Sequence, residues 1–300
     1  GRELSGNSIV AANMDIVGTA HMAKSLAKQK CFTAIHKYNS DSDVLNLLND
    51  PEVSPYVFYT IGMNKESLEQ AERLSKLIDF NKLQVCFEVA NGYMQSFIDT
   101  IATFSKKFPK CIIMAGNIIS PELIPDYVQA GVDIIKVGIG NGAACTTSRV
   151  AGIGIPQYSL VDMFGWYKES FQNGENKFLL CSDGGCKTPG DVVKALAGNA
   201  DFVMLGKMLA GADESATVKI LNDNNTGICE YYGMSSRTAM LKHNENKPYR
   251  TAEGKVIEIP YTGPVSHTID EILGGIRSAC SYLNFSSVEE LPLAEKRIIK

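Results

Sequence analysis

Eight short apolar or β-branched segments recur through the first two thirds of the sequence, and stretches with helical periodicity separate them. The segments span residues 8–14, 31–36, 57–62, 83–90, 111–117, 132–139, 177–183 and 201–206. Most lack the polar–apolar alternation of a sheet with one face in water, as expected of parallel strands covered on both faces. Eight such units predict an α/β protein of the (β/α)8 TIM-barrel class, because doubly wound sheets usually contain fewer strands.

Two of the intervening stretches show the spacing of an amphipathic helix. Apolar residues recur at intervals of three and four over 68–78 and over 192–197. Before the second stretch, Thr188 is suited to cap a helix, Pro189 to occupy its first position and Asp191 its first turn. We therefore expect a helix that begins at Pro189.

The rest of the chain is predicted to extend this one barrel domain. The step from the sixth to the seventh strand is roughly 45 residues long, which predicts an insertion there. Residues 222–258 are polar and predicted to be irregular, forming an active-site flap, and 259–300 form a C-terminal extension with a helix around 268–282. Because the sequence does not begin with Met, we expect that an N-terminal segment precedes it.

Composition excludes several classes of function. The 29 basic and 33 acidic residues give a net charge of −4, without the clustered excess of Lys and Arg that nucleic-acid binding needs. No apolar run approaches the roughly 18 residues that span a bilayer, and the sequence does not begin with a signal segment. None of the eight cysteines belongs to a CxxC pair or a Cys/His cluster. We expect a cytoplasmic protein that binds neither nucleic acid nor membranes.

The residues at the predicted strand ends are unusually polar. In a (β/α)8 barrel the active site lies at these C-terminal ends, and the loops after strands seven and eight commonly bind phosphate. Gly184, Gly185 and Gly206 would let backbone N–H groups approach such an anion, although glycines there can also serve only to form tight turns. Asp183 is suited to bind a ribose diol or to cap a helix. The other candidates are Asn13, Asp15, His36, Lys37, Glu88, Asn91, Asn117 and Lys207.

Two nucleophiles compete near the sixth strand. The loop over 138–147 contains the dinucleotide-binding pattern GxGxxA, but Gly152, Gly154 and Pro156 prevent the long helix that this pattern requires. The loop is better read as a glycine-rich segment that presents Cys145 among backbone N–H donors, which suits a catalytic thiol. Lys136 is the competitor, since a lysine inside a barrel can form a Schiff base as in aldolases.

The loop after the sixth strand reads GIGNGAACTT over 138–147, and GIPQ follows over 154–157. This pattern resembles the active-site loop of the inosine monophosphate dehydrogenase and guanosine monophosphate reductase family. Further agreement covers nearly the whole chain, in segments 11–15, 89–92, 115–117, 182–185, 201–206, 232–236, 249–255 and 273–278. Taken together, these motifs are highly specific to the family.

The two branches of this family differ in the flap. The dehydrogenases carry a long flap with an Arg–Tyr pair that activates water, and usually an inserted regulatory module. Here Met234 and Glu253 lie only 19 positions apart, and no extra domain fits between the strands. The sequence therefore resembles the reductase branch, which implies NADPH-dependent reductive deamination of GMP to IMP and ammonia in purine salvage. Dehydrogenase-type oxidation of IMP is the alternative.

The resemblance also implies a mechanism. Cys145 would attack C2 of the purine, ammonia would leave, and hydride would reduce the resulting covalent thioimidate. An amine leaves poorly unless it is protonated, so Thr147, hydrogen-bonded to Glu253, would relay the proton. Without the resemblance, Glu253 would be read as a solvated carboxylate of the flap.

The binding residues follow by motif from the same resemblance. GMP would be held by Asp183, Gly184, Gly185, Gly206, Lys207, Gly233, Met234, Ser235, Arg250, Thr251, Ala252, Glu253 and Gly254. NADPH would face Lys37, Glu88, Val89, Ala90, Ile139, Gly140, Met234, Tyr249, Arg250, Ser278, Ala279, Cys280 and Ser281, the last four contributed by a neighbouring subunit of a homotetramer. A monovalent cation, K+, would be bound by the backbone carbonyls of Gly140, Gly142 and Cys145.

Three positions depart from the family pattern. Ser148 stands where the family has Arg, which affects the cation site and loop closure, although Arg149 follows. Lys207 replaces a second Gly of the phosphate site, where an ammonium group would strengthen phosphate binding or point away. Glu88 replaces Asp and extends the reach to the cofactor by one methylene. If Ser148 and Lys207 disable the site, the alternative is a nucleotide-binding barrel without catalysis.

Overall fold

The computed structural model describes residues 4–171, 177–224, 226–243 and 251–296. Eight parallel strands close into a barrel in chain order. They are β1 (Ile9–Ala11), β2 (Phe32–Ile35), β3 (Val57–Ile61), β4 (Gln84–Glu88), β5 (Ile112–Ile118), β6 (Ile134–Val137), β7 (Leu179–Asp183) and β8 (Phe202–Leu205). Each overlaps a strand predicted from the sequence, so the predicted (β/α)8 fold is confirmed.

Alternate residues of the strands separate into an inner and an outer core. Val10, Phe32, Phe58, Met114 and other strand residues form one buried cluster, to which all eight strands contribute. Their neighbours in sequence pack with helical residues in two larger clusters. This division is that of a filled barrel interior and a surrounding helical layer. It also explains the continuous apolar segments, because both faces of each strand are covered.

Helices follow the barrel strands along the chain. They are α1 (Ala20–Lys28), α2 (Asp41–Leu48), α3 (Lys65–Leu74), α4 (Gln95–Lys107), α5 (Ile124–Gln129), α6 (Thr147–Val150), α7 (Gln157–Phe171), α8 (Pro189–Ala197) and α9 (Lys207–Ala210). Short 3-10 helices lie at Ser54–Tyr56, Phe80–Lys82, Pro121–Leu123 and Val288–Leu293. α8 begins at Pro189 as predicted, and its Asp191 carboxylate accepts the Thr188 N–H at 3.0 Å. The insertion predicted after β6 contains α6 and α7. Among the described residues, no helix is long and apolar enough to cross a membrane.

The C-terminal third contains a second, antiparallel sheet. Its strands are β9 (Val218–Leu221), β10 (Gly227–Tyr232) and β11 (Val256–Pro260), with β10 in the centre. Two helices follow these strands along the chain, α10 (Arg237–Lys242) after β10 and α11 (Val265–Leu283) after β11. The prediction of an irregular stretch over 222–258 is therefore wrong for β10, α10 and most of β11. The strands were missed because they lack a continuous apolar run, since their outer face carries polar residues such as Glu230 and Glu258.

Candidate active site

The loop that carries Cys145 leaves β6 through a glycine that no other residue could replace without strain. Gly138 has φ +145°, and a Cβ at this position would lie 2.0 Å from the carbonyl oxygen of Asp183 on β7. Only glycine permits this close approach of two backbones. Farther along the loop, the N–H of Cys145 donates to the carbonyl of Gly142 at 3.0 Å. This turn directs Cys145 back over the mouth of the barrel.

Cys145, Thr147 and Glu253 form a continuous hydrogen-bonded chain. The Cys145 Sγ lies 3.3 Å from Thr147 Oγ1, and the Thr147 hydroxyl donates to Glu253 Oε2 at 2.7 Å. Backbone contacts hold the two segments together: the Thr146 N–H donates to the Glu253 carbonyl at 2.8 Å. Cys145 and Gly254 also form an isolated antiparallel bridge. The three predicted catalytic residues therefore lie together.

Two cavities open at the C-terminal ends of the strands and meet at Cys145. The smaller has a volume of about 190 Å³, and the larger about 690 Å³. Cys145, Asp183, Gly184 and Met234 are among the residues that line both. A ligand in either cavity would thus lie beside the same thiol.

The smaller cavity contains most residues predicted to bind the substrate. It is lined by Asp183, Gly184, Gly185, Gly206, Lys207, Gly233 and Met234, whereas Ser235 lines only the larger cavity. Glu253 and Gly254 lie behind the Cys145 loop, and Thr251 and Ala252 line neither cavity. Arg250 lies outside the described residues. Lys187 lines this cavity as well, although the sequence offered no motif that singled it out.

The larger cavity contains the cofactor residues predicted from the first two thirds of the chain. Lys37, Glu88, Val89, Ala90, Ile139, Gly140 and Met234 line it. Ser278, Ala279, Cys280 and Ser281 do not, because they lie on α11, which packs against α1 and α8 in the helical layer. Within one chain they are therefore not brought to the site. Tyr249, like Arg250, lies outside the described residues.

A buried ammonium group joins the charged residues beneath both cavities. Lys136 is fully buried, forms a close ion pair with Glu88 and lies 3.2 Å from Asp183 Oδ2. Asn117 accepts a hydrogen bond from Lys136 and donates to Asp183 at 2.8 Å. Gly116 leaves room for this network, since it is in register with both Glu88 and Lys136.

This network does not support the Schiff-base alternative. Burial favours a neutral amine, but the carboxylates of Glu88 and Asp183 outweigh it and raise the pKa of Lys136 above its usual range. A Schiff base requires attack by the neutral amine. Lys136 is instead a protonated residue that holds two carboxylates at the mouth of the barrel.

A second polar cluster lies beside the larger cavity around Asp15, which follows β1. Its buried carboxylate accepts hydrogen bonds from the Tyr232 hydroxyl at 2.8 Å and from Lys242 at 2.7 Å, and His243 Nε2 lies 2.8 Å away. The His243 ring stacks on Tyr38, which lines the larger cavity, with 3.5 Å between centroids. Although burial acts in the opposite direction, these hydrogen bonds lower the pKa of Asp15.

The same cluster lies beside a half-buried histidine, His36. Burial lowers the pKa of His36 to about 4, so His36 is neutral at physiological pH. Of this cluster, the sequence pointed to Asp15 and His36 as strand-end residues. Tyr232 belongs to the family segment 232–236, but Lys242 and His243 gave no signal. Nothing in the sequence linked these residues to Asp15, since more than two hundred positions separate them from it.

The predicted cation site consists of backbone oxygens. The Gly142 carbonyl oxygen accepts a hydrogen bond from the Cys145 N–H, and its second lone pair is left for a cation. Gly140, with φ +86°, lies against Ser148. Among the described residues, no group of three or more His, Cys, Asp or Glu side chains could hold a metal ion. Carbonyl oxygens are suited to a hard cation, and this site stays a prediction.

Comparison with known proteins agrees with this geometry. The family model described as "IMP dehydrogenase / GMP reductase domain" matches residues 6–300. A GMP reductase of Phytophthora infestans is 42% identical over 97% of this chain and 79% of its own length. GMP reductase 2 of Homo sapiens is 42% identical over 96% of this chain and 81% of its own length. A GMP reductase of Escherichia coli O139:H28 is 40% identical, with coverages of 97% and 83%.

Proposed function

Because the chain belongs to the IMP dehydrogenase / GMP reductase family, we propose that it catalyses the NADPH-dependent reductive deamination of GMP to IMP and ammonia. The observation that carries this proposal is the hydrogen bond between Thr147 and Glu253 beside the Cys145 thiol. A deaminating enzyme needs a proton donor at the leaving amine, and this pair supplies one next to the nucleophile.

The first step is attack of Cys145 on C2 of the purine. As the Sγ–C2 bond forms, the thiol proton passes to Thr147, and Thr147 gives its own proton to Glu253. The proton then returns by the same route to the exocyclic amino group, the C2–N bond breaks, and ammonia leaves. One proton taken from the thiol balances the one gained by the leaving group, and the purine stays bound to Cys145 as a thioimidate.

The nicotinamide cofactor would occupy the larger cavity. A dinucleotide needs apolar walls for its rings and polar groups for its phosphates and riboses. Val89 and Ala90 supply apolar surface, and Lys37 supplies a cation. When bound, the cofactor supplies the hydride that reduces C2 and releases IMP from Cys145. Glu88, Ile139, Gly140 and Met234 would complete its site, and our proposal is NADPH rather than NADH.

Two further features belong to the same proposal. The carbonyls of Gly140, Gly142 and Cys145 would bind K+ and thereby fix the conformation of the Cys145 loop. Residues 278–281 would complete the cofactor site of a neighbouring subunit in a homotetramer, which accounts for their position on α11 outside the cavities of their own chain. Arg250, Thr251 and Ala252, which precede Glu253 in the chain, would close over the substrate.

Oxidation of IMP is the second candidate, since both reactions pass through the same type of thioimidate. The Thr147–Glu253 pair favours the reductase, because it lies next to the Cys145 thiol, where a leaving amine would need a proton. The short segment between Met234 and Glu253 favours it as well.

The test is to mix the protein with GMP and NADPH and to follow nicotinamide absorbance together with ammonia release. Both signals are expected to change in equal molar amounts, and Cys145→Ala is expected to abolish both. Reduction of NAD by IMP, without turnover of GMP, would replace the proposal with the dehydrogenase reaction. Binding of GMP without either reaction would indicate a non-catalytic nucleotide-binding barrel.

A further inference from the structure

Two lysines line the smaller cavity on the loops after β7 and β8. Lys187 follows Gly184 and Gly185, and Lys207 follows Gly206 at the start of α9. Within the part of the chain that the structure describes, neither ammonium group has a hydrogen-bond or ion-pair partner. Other lysines near the barrel are paired: Lys168 lies 2.6 Å from Asp201, and Lys194 lies 3.2 Å from Asp191. Lys187 and Lys207 therefore differ from these paired lysines.

The charge balance of the smaller cavity makes these two lysines stand out. Among the described residues that line it, the charged ones are Glu88, Asp183, Lys187 and Lys207. Both carboxylates contact Lys136, which is buried below them. Lys136 thus compensates one of their two negative charges from beneath, whereas Lys187 and Lys207 add two positive charges that no described carboxylate pairs. The loops after β7 and β8 form a positively charged end of the cavity.

We infer that Lys187 and Lys207 are specificity-determining residues that bind the 5′-phosphate of the nucleotide by charge and select its dianionic form. The inference rests on the proposed function for the identity of the nucleotide. Lysine carries a point charge on a flexible stem, so either residue can reach a phosphate that the neighbouring glycine backbone has positioned. A phosphate monoester carries close to two negative charges above its second pKa of about 6.

This mode of binding has consequences that a backbone cradle alone would not produce. Ammonium–phosphate attraction is screened by salt, so affinity for GMP should fall as ionic strength rises. Affinity should also fall below about pH 6, where the phosphate becomes a monoanion. Guanosine, which lacks the phosphate, should bind weakly and show neither dependence.

The experiment compares Lys187→Met, Lys207→Met and the double variant with the wild type by calorimetric titration of GMP and by steady-state kinetics. Each single variant is expected to raise the Kd and KM for GMP about tenfold, the loss typical of one charged hydrogen bond. The double variant should lose most of the salt dependence. Turnover at saturating GMP should change less than about twofold, because a group that binds substrate and transition state equally affects KM alone.

Three controls separate charge from structure. Lys194→Met removes a nearby charge that does not line the cavity and should behave as the wild type. Lys207→Arg keeps the charge and should restore most of the affinity. Guanosine binding should be equal in all variants. A double variant with unchanged Kd and unchanged salt dependence would overturn the inference, and so would an equal loss of guanosine and GMP affinity.

The outcomes also separate this inference from the proposed reaction, because calorimetry needs no turnover. Binding of GMP that depends on both lysines, without reduction by NADPH, would retain the inference and reject the reaction. Normal turnover with no effect of the lysine variants would retain the reaction and reject the inference. A protein that neither binds nor reduces GMP would reject both.

Discussion

Thr147 and Glu253 are 106 positions apart in the chain, and their side chains are joined by a hydrogen bond of 2.7 Å. The bond is possible because the segment around Glu253 is held against the Cys145 loop by backbone hydrogen bonds, including one from the Lys255 N–H to the Ala144 carbonyl at 2.9 Å. The proposed proton relay thus joins two segments that backbone hydrogen bonds hold together. Changes to the relay should affect chemistry more than substrate binding.

Replacement of Glu253 by Gln should remove the relay and keep the contact. The amide still accepts the Thr147 hydrogen bond, but it cannot take up and return a proton. General acid–base catalysis typically contributes 10² to 10⁴ in rate, so we expect kcat for deamination to fall by at least about a hundredfold. The Kd for GMP should change less than about threefold. Rapid-quench measurement of ammonia release and calorimetric titration of GMP check the two halves of this prediction.

Glu258→Gln is the matched control, since Glu258 lies on β11 of the antiparallel sheet and is exposed. Its kcat should equal that of the wild type. A large loss of GMP affinity in Glu253→Gln with normal deamination would show that Glu253 binds substrate and does not relay protons.

Replacement of Lys136 by Met should destabilise the barrel. Lys136 is fully buried between Glu88 and Asp183, and its removal leaves two carboxylates without their buried partner. Loss of one partner of a buried ion pair costs about 3–5 kcal/mol. Because the folded-state pKa of Lys136 is raised, its contribution is complete below the pKa of the unfolded chain and lost only as pH rises through the folded value. Urea unfolding at pH 7 should therefore show the full effect.

Lys107→Met provides the comparison at an exposed ion pair. Lys107 lies 2.6 Å from Glu72, with about half of each side chain exposed, and such pairs contribute about 0–1 kcal/mol. Equal unfolding free energies for the two variants would mean that Lys136 is not needed to compensate its carboxylates. The rejected Schiff base has a separate test: borohydride should trap no adduct on Lys136.

Asp15→Asn should weaken the link between β1 and α10. The variant loses charge-assisted hydrogen bonds from Lys242 and His243, and we expect it to reduce the free energy of unfolding by about 1–3 kcal/mol at pH 7. The folded-state pKa of Asp15 is lowered, so this stability is present above the unfolded value and is lost as pH falls through the folded one. The difference between variant and wild type should therefore shrink below about pH 4.

Chemical denaturation of both proteins at pH 7 and near pH 3 measures this difference. Glu230→Gln, on the outer face of β10, should show no comparable change. Because His243 stacks on Tyr38 at the larger cavity, the Asp15 variant should also raise the KM for the cofactor more than that for GMP. A difference in stability that is independent of pH would show that the charge of Asp15 does not matter.

The barrel could be predicted from sequence because its strands are covered on both faces, which makes them local apolar segments such as Val57–Ile61. The antiparallel sheet could not, because β10 mixes buried Cys229 with exposed Glu230 and so lacks the continuous apolar run that marked the barrel strands. The candidate catalytic residues were predicted from the family pattern, Cys145 and Thr147 in segment 138–147 and Glu253 in segment 249–255. The Asp15 cluster was missed for a different reason: its members meet only through tertiary folding, and no local spacing links residue 15 to residues 232–243.

The Gly138→Ala variant tests whether turnover depends on the position of the Cys145 loop, apart from any effect on the stability of the barrel. A Cβ on Gly138 would meet the Asp183 carbonyl at 2.0 Å, on a backbone with φ +145°. The loop or β7 must therefore move. Movement of the loop displaces Cys145, and movement of β7 displaces Asp183, and both residues line the two cavities. A displacement of about 1 Å can cost a hundredfold in rate, so we expect kcat to fall by that order.

Gly152→Ala is the control, since φ there is +71° but nothing lies within 4 Å of the added Cβ. That variant should lose about 1–2 kcal/mol from backbone conformation alone and keep its kcat. Thermal unfolding and GMP turnover measured on both variants decide the matter: a Gly138→Ala protein with wild-type kcat would show that Cys145 does not depend on this close approach of β6 and β7.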